Sequence, residues 1–574
     1  MSALGSRPTR GRDGRAPAAL AALALLAAAA VGWWLGLGVP RPVAEPATDR
    51  LQCLSYAPFR DPATSPLVLG TRVSEAQIET DLRLLSARTG CVRTYSVQQG
   101  LDAVPAVARR LGMSVMLGVW IGRNRVENEL ELARAVTLAR EYPDVLRAII
   151  VGNEVLLRRE LPESELIRYI DRVRQATPVP VTYADVWEFW NKHPAVAPAV
   201  SFVTIHILPY WEDEPVGIDG SIAHVVDIHR LMQARFPDKA LLIGETGWPS
   251  AGRARREAVP GRVAQARFVR EFTHAAQQHA LRYNLIEAFD QPWKRQLEGA
   301  MGGAWGLLDR HGELKFPWRG PVAEVPDWHA GPIAAAAGAA LFGAIAAFGA
   351  GAGPRGGANP RARGRGRHLL AAALAGAALG AVLALQWRYL VTWNRYLLEW
   401  TVSTGYTLLA LAYAGLALRC LDRRNRVVPA AAETLARIRR RAAVTPLHGL
   451  SLLNAAFLFG AATMIVLHVF DGRYRGFPTP LYIVPLAASA LLWIAGAARF
   501  RGGIEERWLA ATIAAGGLLV IALERPSNLQ AVGFVAVVIA LAAIGSGLLY
   551  RRGAGAAARA STSTPSKPPT AAGS

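Results

Sequence analysis

The sequence predicts an α/β fold, a (β/α)8 TIM barrel, followed by an all-α membrane domain with several spans. Eight short apolar or β-branched runs alternate with mostly helical patterns between residues 51 and 320. Long apolar runs then follow residue 330, and 52% of the 574 residues are hydrophobic. Eight alternations of strand and helix within roughly 270 residues are typical of this barrel, whereas the later apolar runs require a bilayer.

The eight predicted strands have the short lengths that are typical of the strands of a (β/α)8 barrel. They lie at 51–57, 91–97, 114–120, 147–152, 179–184, 201–208, 240–244 and 282–289. Helix signals separate them: Ser74 with Gln77 forms a capping-box pattern, and Pro162 begins another helix. We therefore expect one continuous (β/α)8 barrel domain over residues 51–325.

Residues 17–38 form an apolar run that is long enough to cross a bilayer and is preceded by basic residues. We expect an uncleaved anchor, with a cleaved signal peptide as the alternative. A short linker follows at 39–50. Seven further transmembrane helices are predicted between 332 and 550, near 332–353, 368–387, 401–419, 449–470, 481–498, 508–524 and 530–550.

The net charge of +21 does not indicate nucleic-acid binding, because the arginines cluster in the N-terminal tail and between apolar runs. Cytoplasmic loops of membrane proteins carry such arginine clusters. The pattern predicts a multi-pass inner-membrane protein whose barrel lies on the periplasmic side. Both its basic tail (1–16) and its tail at 551–574, which we expect to be disordered, would be cytoplasmic.

Three cysteines give no metal-ligand spacing and no disulfide framework. Cys53 and Cys91 fall near the starts of the first two strands. A single disulfide bond and two small core residues are both compatible with that position. We predict no metal and no cofactor.

Two glutamates follow strands on opposite sides of the predicted barrel. Glu154 ends the fourth strand and Glu245 ends the seventh. Catalytic groups of such barrels lie at the carboxyl ends of the strands, so both should reach one cleft. Retaining glycoside hydrolysis needs two carboxyl groups about 5 Å apart, one protonated and one ionised. An ordinary ion-pair role for either residue is the alternative.

Aromatic residues collect near the same strand ends, as expected of a cleft that binds the apolar faces of sugars. Asp290 and Lys294, near the eighth strand, could orient hydroxyl groups, or could form a salt bridge at the rim. The candidate sugar-binding aromatics are Tyr56, Tyr95, Trp120, Tyr210, Trp248 and Trp305, and Trp187, Trp190, Trp211 and Trp293 lie nearby.

The motifs Gly-Asn-Glu-Val at 152–155 and Glu-Thr-Gly-Trp-Pro-Ser at 245–250 resemble those of glycoside hydrolase family 17. Phe-Asp-Gln-Pro-Trp-Lys at 289–294 and Trp-Gly-Leu at 305–307 support the resemblance. It covers about residues 51 to 320, close to half the chain, and is strongest to the bacterial branch, which includes membrane proteins linked to periplasmic β-glucan synthesis.

This resemblance implies a retaining mechanism on β-1,3-glucan. Glu154 would be the acid/base, Glu245 the nucleophile, and Asn153 would bind the 2-hydroxyl group beside the scissile bond. Two features depart from plant members of the family. Gln291 replaces an acidic residue, and the stretch at about 210–240 is too short for the extra subdomain that lengthens the plant cleft.

Three functions follow from these features: an endo-β-1,3-glucanase-like hydrolase, a transglycosylase that branches or cyclises periplasmic β-1,3/β-1,6-glucan, and an inactive glucan-binding module. The presence of both glutamates disfavours the third. The expected partners are a β-glucan polysaccharide, the lipid bilayer and, through the membrane helices, a separate glucan synthase, since no synthase motif follows residue 330. Nucleic acid is not expected.

Overall fold

The computed structural model describes residues 15–351, 361–421 and 424–550. The predictions for the basic N-terminal tail up to residue 14 and for the tail at 551–574 lie outside the described residues. The chain divides into two compact units. The first, the barrel unit, comprises Gly38–Pro326 with Tyr474–Gly476, and the second contains the remaining residues.

Eight parallel strands close into a barrel in sequence order, with β8 paired to β1. The predicted fold class and all eight predicted strands are therefore confirmed. The strands are β1 (Leu54–Ser55), β2 (Cys91–Arg93), β3 (Ser114–Val119), β4 (Leu146–Asn153), β5 (Val181–Val186), β6 (Val203–His206), β7 (Leu241–Thr246) and β8 (Tyr283–Leu285).

Helices follow the strands and surround them. After α1 (Arg15–Gly38), which belongs to the second unit, they are α2 (Glu75–Leu85), α3 (Val104–Arg110), α4 (Arg125–Glu141), α5 (Glu163–Ala176), α6 (Trp187–Lys192), α7 (Ile218–Arg235), α8 (Arg262–Gln278) and α9 (Arg295–Glu298). Short 3-10 turns occupy Leu101–Ala103, Pro194–Ala199, Pro292–Lys294 and Ala300–Gly303. The strand-to-helix loops therefore form one rim of the barrel, at the carboxyl ends of the strands.

Helix starts follow the local sequence, with one difference from the prediction. The Ser74 hydroxyl accepts a hydrogen bond from the backbone N–H of Gln77 at 3.2 Å, as an N-cap should. The Gln77 side chain, however, donates to the Pro58 carbonyl at 2.9 Å and does not return to the cap. The capping-box prediction is thus correct for the serine only, because the amide finds a tertiary acceptor.

The disulfide alternative for the cysteines is the correct one, since Cys53 and Cys91 are bonded. Their Cα atoms are 4.5 Å apart, and both side chains are fully buried. They share a small apolar cluster with Met116, Ile150 and other side chains near the starts of the strands. The disulfide bond links the start of β1 to the start of β2.

The second unit is helical. Its elements after α1 are α10 (Ala330–Gly351), α11 (Arg361–Trp393), α12 (Leu397–Cys420), α13 (Ala431–Arg439), α14 (Pro446–Asp471), α15 (Thr479–Ile494), α16 (Ile504–Glu524) and α17 (Leu529–Gly545), with strands β9 (Arg426–Val428) and β10 (Ala498–Phe500). Every predicted apolar run contains a helix. Six of these helices in the described residues are long and apolar enough to cross a membrane, while α15 and α17 are shorter.

The apolar run predicted at 481–498 ends earlier than expected. Helix α15 stops at Ile494, Gly496 takes a positive φ of 63°, and residues from Ala498 onward pair in parallel with β9. Arg426, Arg499 and Arg501 lie in or beside this strand pair. Two arginine-rich connections between apolar helices therefore form a short parallel strand pair, which the sequence did not predict.

Candidate active site

The two predicted catalytic glutamates converge at the rim of the barrel. Glu154 directly follows β4, and Glu245 is the fifth residue of β7. One carboxylate oxygen of each and one ring nitrogen of His206, at the end of β6, all lie within 4.8 Å of one another. This separation matches the close spacing of a retaining pair and is too short for the wider spacing of an inverting pair.

Glu245 is held as an anion by the groups around it. Its Oε1 accepts hydrogen bonds from Arg93 Nη1 at 3.0 Å and from the Tyr95 hydroxyl at 2.9 Å. Burial of the carboxyl group opposes ionisation, but the positive charges of His206, Arg93 and Lys294 outweigh it and hold the pKa of Glu245 below its ordinary value. An ionised carboxylate is the form that can attack an anomeric carbon.

Glu154 is positioned differently. Its backbone has a positive φ of 53°, which is uncommon for a residue other than glycine, and its side chain is 22% exposed toward the cleft. The Nδ1 atom of His206 is 2.9 Å from Glu154 Oε1, and Nε2 of the same ring is 3.7 Å from Glu245 Oε1. The buried imidazole therefore lies between the two carboxyl groups, hydrogen-bonded to Glu154 and close to Glu245 without a hydrogen bond to it.

Arg93 connects the two halves of the site. This buried guanidinium at the end of β2 donates to the Gly244 carbonyl at 2.8 Å, to Glu245 and to the side-chain oxygen of Asn153. Asn153 is thereby fixed through its oxygen, which leaves the amide N–H donors of that side chain to face other partners. Neither Arg93 nor His206 was among the predicted site residues, although both end strands of the barrel.

A second acidic group lies beside the pair. Lys294 Nζ donates to both carboxylate oxygens of the fully buried Glu287, at 3.0 and 3.2 Å. Burial raises the pKa of Glu287 to about 7 even though Lys294 opposes the shift. Burial, and then the charges of Glu154 and Glu245, raise the pKa of Glu298 to about 7. Lys294 is thus placed at the site as predicted, whereas Glu287 and Glu298 were missed.

Several predicted aromatic platforms are instead part of the barrel wall. Tyr56, Tyr210 and Trp248 are fully buried, and Trp305 is 3% exposed. Their polar atoms are used internally: the Tyr56 hydroxyl donates to Asp81, the Tyr210 hydroxyl to the Arg253 carbonyl, and Trp248 Nε1 to the Val259 carbonyl. In this structure these rings offer no open face to a sugar.

Two predicted aromatics keep accessible surface. Trp120 is 39% exposed, with the Arg158 guanidinium 4.2 Å from its ring centroid. Tyr95 is half-buried, and its hydroxyl contacts Glu245 directly. Trp120 is the better platform of the two, because a ring stacked on one face by a cation still presents its edge and opposite face.

Asp290 forms the rim salt bridge that was the alternative to a sugar contact. Lys315 Nζ lies 2.7 Å from its Oδ1, which also accepts from the Gly306 N–H at 3.0 Å. Gln291 is buried, donates to the Ala57 carbonyl at 2.7 Å and accepts from Trp293 Nε1 at 2.9 Å. The substitution of an acid by Gln291 therefore serves the packing of the loop after β8.

Glu154, His206 and Glu245 are also close enough together to hold a metal ion. Among the described residues, no other group of three such side chains has this spacing. Arg93 and Lys294 already direct positive charge at Glu245. A bound cation would be repelled by both side chains. The arrangement therefore favours proton transfer and nucleophilic attack over metal binding.

The barrel unit is similar to known glycoside hydrolases. Residues 53–306 match the family model of the BtgE/BtgC glycoside hydrolase domain. Glucan endo-1,3-beta-glucosidase btgC of Emericella nidulans is 26% identical over 284 residues, which are 44% of this chain and 43% of the relative. Glucan 1,3-beta-glucosidase of Arthroderma benhamiae is 28% identical over 264 residues, 42% of this chain and 84% of the relative.

Among solved structures, the glycoside hydrolase family 17 beta-1,3-glucanosyltransferase of Rhizomucor miehei is similar over 48% of this chain and 98% of that chain, with 22% identity and a TM-score of 0.42. The chain spans less than half the length of the btgC relatives that it matches. The resemblance to glycoside hydrolases is confirmed by the family model. Residues 53–306, most of the barrel unit, are thus similar to the glycoside hydrolase domain of glucan β-1,3-glucosidases.

Proposed function

We propose that this protein is a membrane-anchored retaining glycoside hydrolase that cleaves β-1,3-glucan outside the cytoplasm. The observation that carries the proposal is the pair of carboxyl groups of Glu154 and Glu245, one oxygen of each lying within 4.8 Å of the other at the rim of one barrel. Glu245 is held ionised by its neighbours. Two carboxyl groups at this separation, one anionic, are the requirement for the double-displacement reaction.

In the first step the Glu245 carboxylate attacks the anomeric carbon while the glycosidic bond breaks. Glu154 gives its proton to the departing oxygen, so the leaving sugar departs as a neutral alcohol. The Tyr95 hydroxyl, 2.9 Å from Glu245 Oε1, and Arg93 orient the nucleophile. The product is a glycosyl ester on Glu245 with inverted configuration at the anomeric carbon.

In the second step Glu154 acts as the base. It removes a proton from a water molecule, whose oxygen attacks the same carbon and releases Glu245, and the second inversion restores the original configuration. His206 Nδ1, 2.9 Å from Glu154 Oε1, keeps the carboxyl group directed at the cleft through both steps. Asn153, fixed by Arg93, would present its amide N–H donors to the 2-hydroxyl group.

The substrate class is supported by the names of the relatives, which are glucan endo-1,3-beta-glucosidase and glucan 1,3-beta-glucosidase. The exposed ring of Trp120 beside the cleft supports a carbohydrate substrate, since sugar faces stack on aromatic surfaces. The half-buried Tyr95 adds a polar tip at the reacting centre.

The membrane location is supported by the six long apolar helices and by the arginine distribution. With the N-terminus in the cytoplasm, alternation through eight helices leaves the arginine-rich connections on the cytoplasmic side. The barrel, between α1 and α10, then lies on the outer side. A separate synthase that supplies the glucan is the partner that the membrane helices would serve.

Incubating full-length protein in detergent with millimolar laminari-pentaose tests the function and its main alternative. We expect consumption of the β-1,3-linked sugar and mainly shorter products, with some transfer products at high donor concentration. Transfer needs only that a second sugar replaces water in the second step. Products mostly longer than the donor would make transglycosylase the better description.

A matched incubation with cello-pentaose, which has β-1,4 bonds, is the control for linkage. It should remain intact under the same conditions. Cleavage of the β-1,4 sugar with no cleavage of laminari-pentaose would contradict the proposed substrate while leaving the glycosidase class in place.

A further inference from the structure

The turn that carries Glu154 has a backbone that needs support from neighbouring elements. Gly152 and Glu154 both take positive φ values, of 88° and 53°. For a residue other than glycine this conformation is strained, and it persists only where the surrounding structure holds it. A Cβ atom on residue 152 would lie 2.7 Å from Val155 Cγ2, so the turn is also tightly packed. The direction of the Glu154 carboxyl group therefore depends on what fixes residues 152–157.

Two side chains of the neighbouring strand β5 accept backbone N–H groups of this turn. The Tyr183 hydroxyl accepts from the Leu156 N–H at 3.0 Å, and the Asp185 carboxylate accepts from the Leu157 N–H at 3.4 Å. The backbone carbonyl of the residue between them accepts from the N–H of Glu154 itself at 2.8 Å. Three N–H donors of the turn are thus paired with three consecutive residues of one strand.

Tyr183 and Asp185 are also hydrogen-bonded to each other, since the Tyr183 hydroxyl donates to the Asp185 carboxylate. The single proton of the hydroxyl is thereby used, and its oxygen is left to accept from the Leu156 N–H. The other oxygen of Asp185 accepts from the Val186 N–H at 2.8 Å. The direction of each side chain in the Tyr183–Asp185 pair is therefore fixed by its own hydrogen bonds.

The Tyr183–Asp185 pair is buried, so neither side chain is placed to touch a sugar. Burial raises the pKa of Asp185 to about 6, the Tyr183 hydroxyl opposes the rise, the charge of Glu154 adds to it and the charge of His206 opposes it. Asp185 is therefore mostly ionised at neutral pH, which is the form that accepts hydrogen bonds through both oxygens. The pair acts on Glu154 from behind, through the backbone of the turn.

We propose that Tyr183 and Asp185 are positioning residues for Glu154, which hold the turn after β4 so that its carboxyl group points into the cleft for both proton transfers. This inference rests on the proposed role of Glu154 as acid/base. The nucleophile Glu245 is held separately, by side chains of β2 and of the loop that follows β2. Loss of the pair should therefore impair proton transfer and leave nucleophilic attack almost unchanged.

The test compares two β-1,3-linked substrates of the full-length protein in detergent. The leaving sugar of laminari-pentaose needs a proton, whereas the dinitrophenolate of dinitrophenyl β-laminaribioside needs none. Tyr183→Phe removes the hydroxyl and keeps the ring, and Asp185→Asn keeps the shape of the side chain but removes one acceptor oxygen. The two rates are compared as kcat/KM, because this constant includes no step after the leaving group has departed.

Tyr183→Phe should lower kcat/KM for laminari-pentaose by about 10-fold or more, since displacing a catalytic group by an ångström costs up to about 10²-fold. For the dinitrophenyl substrate kcat/KM should fall by less than about 3-fold, because no proton is needed. Azide should raise kcat on that substrate, since Glu154 must also activate water. Asp185→Asn should show the same selectivity. Tyr283→Phe, which removes the hydroxyl of a buried tyrosine on β8 that accepts from the Gln52 N–H, is the matched control and should change neither constant.

Selective loss on laminari-pentaose in either variant supports the inference. Equal losses on the two substrates in both variants would overturn it, because the pair would then support the barrel as a whole, and so would the absence of any loss. Glu154→Ala, measured alongside, separates this inference from the proposed function. If Glu154→Ala itself shows no selective loss, the acid/base role fails and the inference fails with it. Selective loss in Glu154→Ala without selective loss in Tyr183→Phe or Asp185→Asn would overturn the positioning role alone.

Discussion

Replacing Glu245 by alanine should lower turnover of laminari-oligosaccharides by about 10⁴-fold or more, because the covalent route is lost with the nucleophile. Added azide should restore part of the activity on a β-glucosyl substrate with a good leaving group. A small anion can enter the vacated space and attack the anomeric carbon directly, which gives the inverted, α-configured glycosyl azide. The configuration is read from the proton NMR coupling of the isolated product.

Two controls accompany this variant. Glu257→Ala changes an exposed glutamate in the loop that joins β7 to α8 and should leave activity unchanged. Glu245→Gln keeps the shape of the buried side chain beside Arg93 and should be equally inactive but better folded, since the alanine leaves buried cations without their partner. Retained activity in folded Glu245→Ala protein would remove Glu245 from the mechanism.

Replacing Glu154 by alanine should lower turnover of unactivated sugars by about 10²–10⁴-fold, the usual contribution of a general acid. The loss should be much smaller for formation of the glycosyl-enzyme from a substrate with a dinitrophenolate leaving group, which needs no proton. Azide should again accelerate turnover, this time by attacking the intermediate on Glu245. The product should therefore be the β-configured azide, opposite to that from Glu245→Ala.

The opposite configurations of the two azide products distinguish the nucleophile from the acid/base. Equal losses on activated and unactivated substrates in Glu154→Ala would show that the residue does not act as an acid. An α-configured azide from this variant would reverse the roles of the two glutamates.

The fold and the meeting of Glu154 and Glu245 at the rim could be predicted because they depend on local patterns. Short β-branched runs fix the strands, and a residue at the end of a parallel strand must lie at the rim whatever the details of packing. Glu154 and Glu245 needed only that rule. The positions of the apolar helices likewise follow from composition over some twenty residues.

The supporting residues could not be assigned in the same way. Arg93 and His206 also end strands, but their roles depend on contacts with residues on other strands: Arg93 of β2 with Glu245 of β7, and His206 of β6 with Glu154 after β4. Glu298, on a short helix after β8, is buried and lies close enough to both glutamates for their charges to add to the rise in its pKa. Such contacts between distant segments leave no periodic signal in the sequence.

The aromatic residues show the opposite difficulty. Their concentration at strand ends correctly indicates the rim, but the pattern does not distinguish a ring that lines the cleft from one that packs behind it. Tyr210 and Trp248 are fully buried and stand edge to face at 5.9 Å, so they stabilise the loops after β6 and β7. Trp120, directly after β3, differs in that 39% of its surface stays exposed.

The most direct test of the account is the configuration of the first product formed by the wild-type protein. Laminari-oligosaccharide reduced at its terminal sugar contains no free hemiacetal, so the only new anomeric signal in a time-resolved proton NMR experiment comes from the cleaved bond. Two displacements, at Glu245 and then by water activated by Glu154, predict that the β-anomer appears first and that the α-anomer grows in later by mutarotation. Initial appearance of the α-anomer would contradict the retaining mechanism and the roles assigned to both glutamates.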